Sequence, residues 1–132
     1  MSQENVEIME AAFEALNGGD LDTWMAETDP EVEWYVLPDD PNPGPYRGYE
    51  EVLRMVAQWQ EALIDFRGEA QEYIDAGEYV IMPTRMRGRP RESEAEVVLD
   101  EVYVGKIHDG RLVEVREYRT REQALKAVDL AE

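Results

Sequence analysis

Cysteine is absent from the 132-residue chain and histidine occurs once. That removes disulfide frameworks, thiol nucleophiles and thiolate metal sites together, and leaves any metal to carboxylates. No metal site is therefore expected, and nothing implies a cofactor. Basic residues are scarce as well: 13 Lys and Arg stand against 31 Asp and Glu, a net charge of −18. Such a field repels phosphate backbones and anionic head groups, which argues against nucleic acid and membrane surfaces as partners. No run of about eighteen apolar residues occurs that would cross a bilayer as a helix. The opening MSQENVEIME is acidic and lacks the apolar core of a signal peptide, so a cytoplasmic protein is expected.

What remains is globular composition, 43% hydrophobic and 33% charged, with three Trp and seven Tyr. The length fits one domain over residues 1–132. Val6, Met9, Ala12, Phe13 and Leu16 recur at helical spacing between Gln3 and Asn17, with Ser2 as N-cap and Gly18-Gly19 as the stop. Asp20 caps a short second helix carrying Trp24, which Asp29-Pro30 ends. EVEWYVL, residues 31–37, has strand composition. PDDPNPGPYRG holds four prolines in eleven residues, so a stiff loop is predicted there. A third helix spans roughly Tyr49 to Ile64, with Tyr49, Val52, Val56, Trp59 and Leu63 on its core face.

Beyond it the period falls to two. FRGEAQEYI, YVIMPTRMR, EAEVVLDEVYVGKI and LVEVREYR read as consecutive antiparallel strands, the last two joined by the turn HDGR. Thr120 and Gln123 form a capping box opening a final helix through Val128. Helices segregated from such a sheet give an α+β domain: a cone-shaped, curved antiparallel sheet wrapped around the long helix, with an apolar pocket under the proline loop.

One stretch breaks the pattern. In VEVREYR, residues 113–119, alternation puts Val113, Val115 and Glu117 on one face, so a carboxyl follows two valines inward. Leu99, Glu101, Tyr103 and Ile107 share the concave face of the preceding strand, and Val80, Met82, Thr84 and Met86 that of the strand before it. Burial raises a carboxyl pKa, by up to about three to five units, and makes a general acid or base usable near neutral pH. Glu117 is accordingly the candidate catalytic residue, with Tyr103 as hydrogen-bond donor; Trp24, Trp34, Tyr46, Trp59, Met82, Thr84, Glu101 and Val115 are the candidate pocket residues. The alternative for Glu117 is an ion pair with Arg85, Arg116 or Arg119, or exposure at the strand end. RMRGRPR, residues 85–91, gathers four basic residues at a hairpin tip and reads as solvated.

ALNGGDLD (15–22), DPEVEW (29–34), YRGYEEV (46–52), DAGEYVI (75–81) and IHDGRLVEVREY (107–118), taken in order, resemble the nuclear-transport-factor-2-like superfamily, in particular its SnoaL-like and ketosteroid-isomerase-like branches. The resemblance covers nearly the whole chain. It implies a pocket for a small, mostly apolar molecule and a homodimer through the outer sheet face. The isomerase catalytic positions fall on Trp34, Ala12 and Tyr103, and none carries the isomerase residue. SnoaL-like cyclases place an acid where Glu117 stands. Epoxide hydrolases of this fold carry an acid there too, but YVIMPTRMR lacks the second acid they need. The expected function is pocket binding with cofactor-free proton transfer of isomerase, cyclase or dehydratase type; the alternatives are a binding or interaction module without turnover, and a purely structural domain.

Overall fold

The computed structural model describes residues 2–131. Its elements run α1 (Ser2–Gly18), α2 (Leu21–Glu27), β1 (Thr28–Tyr35), β2 (Tyr46–Arg47), α3 (Gly48–Ala62), β3 (Leu63–Ala70), β4 (Ile74–Ala76), β5 (Tyr79–Pro90), β6 (Val97–His108), β7 (Arg111–Tyr118) and α4 (Arg121–Ala131). The cap expected from the Ser2 side chain lies outside the described side chains. Asp20 caps α2, accepting from the Thr23 backbone N–H at 3.2 Å and from its hydroxyl at 2.7 Å. At α4, Thr120 accepts from the Gln123 N–H as the expected N-cap, and Gln123 reaches back to the Arg119 N–H, one residue before the cap N–H that a capping box uses.

The sheet has the order β2-β1-β7-β6-β5-β3, with β4 on the same edge of β5 as β3. The stretch expected as one strand from Phe66 to Ile74 is thus two strands, β3 and β4. The meander β5-β6-β7 is antiparallel as alternation predicts, and its last hairpin turns through Asp109 (φ 50°) and Gly110 (φ 77°). The pairing of β1 with β7 is parallel, so the sheet is mixed. Its concave face holds α1 and α3 around a core of Met9, Phe13, Trp34, Val52, Met55, Met82 and Leu112. Gly105 lets α1 seat this closely, because a Cβ there would stand 2.3 Å from the Met9 sulfur.

On the convex face, α4 lays Ala124 and Val128 over Ile81, Val102 and Val104. Further along that face Arg67, Arg85 and Arg87 alternate with Glu69, Glu96 and Asp100 in a lattice of ion pairs at 2.7–3.7 Å. The arginines of the 85–91 segment therefore belong largely to the strand face, and β5 extends to Pro90 where a polar link was expected.

One register detail matters for the site. Ile107 pairs with Leu112 but Lys106 pairs with Glu114, so β7 carries one extra residue. Leu112 is fully buried in the core and Val113 only half-buried, which reverses the expected inward Val113. Past the bulge, Val115 and Glu117 recover the inward face, opposite Gly105 and Tyr103.

Candidate functional site

A cavity of about 430 Å³ opens between α1, α3 and the concave sheet. Five strands and two helices supply its wall: Phe13 from α1, Met55 and Trp59 from α3, Trp34 from β1, Met82, Thr84 and Met86 from β5, Leu99, Glu101 and Tyr103 from β6, Glu117 from β7, and Phe66 and Gly68 from β3. The inner end is closed, with Trp34 3% and Tyr103 6% exposed; the mouth is open, with Trp59 37% and Leu99 44% exposed. Phe13, Trp34 and Tyr103 pack ring against ring at centroid distances of 5.5–5.9 Å. Trp59 stacks on Phe66 at the mouth, 5.8 Å apart and 16° from parallel.

Two carboxyls reach this inner end because β6 and β7 are paired with Tyr103 opposite Glu117, and Glu101 lies two residues along on the same face. The Trp34 indole N–H donates to Glu117 Oε2 at 2.7 Å. The Tyr103 hydroxyl donates to Glu101 Oε2 at 3.1 Å and lies 3.5 Å from the Met86 sulfur. The arginines that would neutralise Glu117 are engaged elsewhere. Arg85 pairs with Asp100, Arg116 with Glu114, and Arg119 with Asp39.

The consequence is electrostatic. Burial, then the nearby Glu101 carboxyl, pushes the Glu117 pKa from 4.5 up to about 8, against the opposing Trp34 hydrogen bond. Burial also raises Glu101, and the bond from Tyr103 partly offsets it. Tyr103 is held well above its ordinary value by burial and by both glutamates. Such a pair retains a proton at neutral pH and can give it up or take one back within the cavity.

Of the residues expected in the pocket, Trp34, Trp59, Met82, Thr84, Glu101, Tyr103 and Glu117 line it. Three do not. Trp24 is a core residue, edge-on to Tyr49 at 5.5 Å and absent from the cavity wall. Val115 faces inward but is fully buried against Trp34 and Gly105, in the layer that supports Glu117. Tyr46 folds back to donate its hydroxyl to the Asn42 carbonyl, so it braces the proline loop and does not line the cavity. Phe13 and Met55 were missed as lining residues, while Met86, expected on the concave face, lines the cavity beside them. Their helical or alternating spacing marks them as inward-facing, and only the hollow beside them separates wall from core.

Among the described residues, no group of three His, Cys, Asp or Glu is placed to hold a metal ion, and no helix is long and apolar enough to cross a membrane.

Comparison with known proteins agrees with this architecture. None of the curated proteins compared matches the chain. Among solved structures, Bal32a from a soil-derived mobile gene cassette superposes with a TM-score of 0.81 at 17% identity, covering 96% of this chain and 97% of its own. TerC, co-crystallized with polyporic acid, gives 0.77 at 17% identity, covering 96% and 98%. A SnoaL-like polyketide cyclase assignment from Jannaschia sp. CCS1 gives 0.73 at 20% identity, covering 96% and 91%. At these identities the likeness is one of fold. The sequence profile of the SnoaL-like domain matches residues 9–115, most of the chain and every element from α1 to β7, and the protein belongs to the SnoaL-like domain family.

Proposed function

We propose that the chain binds a small, mostly apolar molecule in the cavity and catalyses cofactor-free proton transfer on it, of isomerase, cyclase or dehydratase type, with Glu117 as the acid or base. The observation that carries this reading is a carboxyl at the closed end of an aromatic cavity, held by an indole N–H at 2.7 Å and shifted to about 8. A group poised there exchanges its proton with substrate near neutral pH, a contribution typically worth about 10²–10⁴-fold in rate. Tyr103 polarises a substrate oxygen or passes a proton between Glu101 and the ligand. The volume suits one compact ligand, within the roughly 300–1,000 Å³ common for such pockets. The fold neighbour co-crystallized with polyporic acid is in keeping with a small organic ligand.

The test starts from whatever molecule co-purifies with the protein, identified by native mass spectrometry. Wild-type protein exchanges solvent deuterium into that compound or converts it, and Glu117→Gln lowers the rate by at least about 10²-fold with folding unchanged. Undiminished activity in the variant takes Glu117 out of the mechanism. Binding without turnover in wild-type protein favours the second reading, a ligand-binding module; the empty isomerase positions Ala12 and Trp34 support that alternative. Homodimerisation through the outer sheet face would use the part of that face α4 leaves open.

A further inference from the structure

The hydrogen-bonding groups at the closed end of the cavity are one-sided. At the inner end, among the described residues, every side-chain donor other than the proton held by Glu117 is already engaged within the protein. The Trp34 N–H goes to Glu117 at 2.7 Å, the Tyr103 hydroxyl to Glu101 at 3.1 Å, and the Thr84 hydroxyl to the Met82 carbonyl at 3.0 Å. Away from that end the Asn17 amide donates to the Gly68 carbonyl at 2.7 Å, Arg87 is held on the convex side by Glu69 and Glu96 at 2.7 and 2.9 Å, and Trp59, Gln60 and Tyr73 bring polar atoms to the lining. What stays available to a ligand at the closed end, once the Glu117 proton is displaced, is acceptor capacity: carboxylate oxygens, and the lone pairs of two hydroxyls.

Charge points the same way. Glu10 and Glu14 line the opposite side of the cavity, and the whole chain carries −18. The inner end adds the faces of Phe13, Trp34 and Tyr103, which attract a cation through their quadrupoles. Among the described residues, no cationic side chain takes that place. Arg116 lies over Tyr35 and Lys106 over Tyr79, both away from the cavity lining.

We propose that the natural ligand is an apolar molecule bearing a protonated amine, with the ammonium seated at the Glu101 and Glu117 carboxyls against the Trp34 and Tyr103 rings. This rests on the pocket reading above and names its substrate class. An ammonium brings three donors to a site stocked with acceptors, whereas an anion at the closed end meets two carboxyls and can accept only the proton of Glu117. Its charge replaces the proton held there. The groups facing that proton are Glu101 and Tyr103 from β6, Trp34 from β1, Tyr46 from β2, Asp39 and Asp40 from the proline loop, and Arg119 after β7, whose guanidinium is paired to Asp39. Seating a cation among them expels the proton and leaves Glu117 ionised, which is the form a general base requires.

The experiment is calorimetric titration of the full chain at neutral pH and physiological salt with three probes sharing one two-ring body: naphthalen-1-ylmethanamine, naphthalen-1-ylmethanol and naphthalene-1-carboxylate. The amine is expected to bind at least about tenfold more tightly than the alcohol, with the carboxylate weakest. Repeating the titration in buffers of different ionisation enthalpy is expected to show proton release with the amine alone. Glu117→Gln is expected to cut amine affinity at least about tenfold with the near-ultraviolet spectrum intact. Asp100→Asn, which removes one charge from the convex face, is expected to leave that affinity unchanged. If the alcohol or the carboxylate binds as tightly as the amine, the amine class is wrong and the pocket reading stands. If none of the three binds, both fall.

Discussion

Replacing Glu117 with Gln is expected to make the protein more stable in alkali and to flatten its pH profile. In the fold this carboxyl releases its proton at about 8, against 4.5 ordinarily. The folded state therefore holds a proton that the unfolded chain has already lost between those values. Stability from this residue is fully present below 4.5, declines as pH rises through the interval, and is gone above about 8. At about 1.4 kcal/mol per pH unit, the gap corresponds to a loss on the order of 5 kcal/mol. That is comparable with the whole stability of many domains of this size. Gln keeps the shape and an oxygen to accept from Trp34, yet never ionises. Urea unfolding of both proteins near pH 5 and near pH 9 reads the effect of Glu117 together with its coupling to Glu101 and Tyr103, since titrating groups remote from the cavity are common to both and cancel in the double difference. Wild type is expected to lose several kcal/mol more than the variant over that span. Parallel profiles, within about 1 kcal/mol, would refute the claim that this carboxyl is buried without a cationic partner.

Three further outcomes follow from the same geometry. Trp34→Phe keeps the ring but removes the N–H that opposes the shift, so the Glu117 pKa should rise further and any activity that needs its ionised form should move to higher pH; an unchanged profile would show the 2.7 Å bond to be without influence. Tyr103→Phe removes the donor that partly restrains Glu101, so the Glu101 carboxyl should titrate higher by NMR, and a downward move would contradict the assignment. Gly105→Ala forces a Cβ to within 2.3 Å of the Met9 sulfur and 3.0 Å of Leu112, and should cost about 1–3 kcal/mol in urea unfolding; a neutral result would mean that α1 does not seat on β6 as described.

Much of this arrangement is legible in the residues, for reasons that differ from element to element. Period-two patterning places Glu101, Tyr103 and Glu117 on the concave face because sheet pairing preserves alternation over many residues. The bulge in β7 escapes such reading. Leu112 and Val113 are equally apolar, so nothing local says which of them turns inward, and the inward place of Glu117 survives because the irregularity lies before Val115. The parallel pairing of β1 with β7 joins segments some eighty residues apart, and with it comes the bond from Trp34 to Glu117, which no spacing rule anticipates. Trp24 on a short helix, Trp34 on a strand and Tyr46 after the proline loop each offer an aromatic ring to the expected pocket. One is core, one braces a loop, and one lines the cavity, a distinction made only by where the hollow falls between α1, α3 and the sheet.

The central claim is that a proton resides on Glu117 at neutral pH. Carbon-13 NMR of glutamate side-chain carboxyls across the pH range, with the Glu117 signal identified by its loss in Glu117→Gln, measures this directly. The account predicts a titration midpoint near 8. A midpoint close to the ordinary 4.5 would mean that the group is solvated or neutralised, and the proposed proton chemistry would have no foundation.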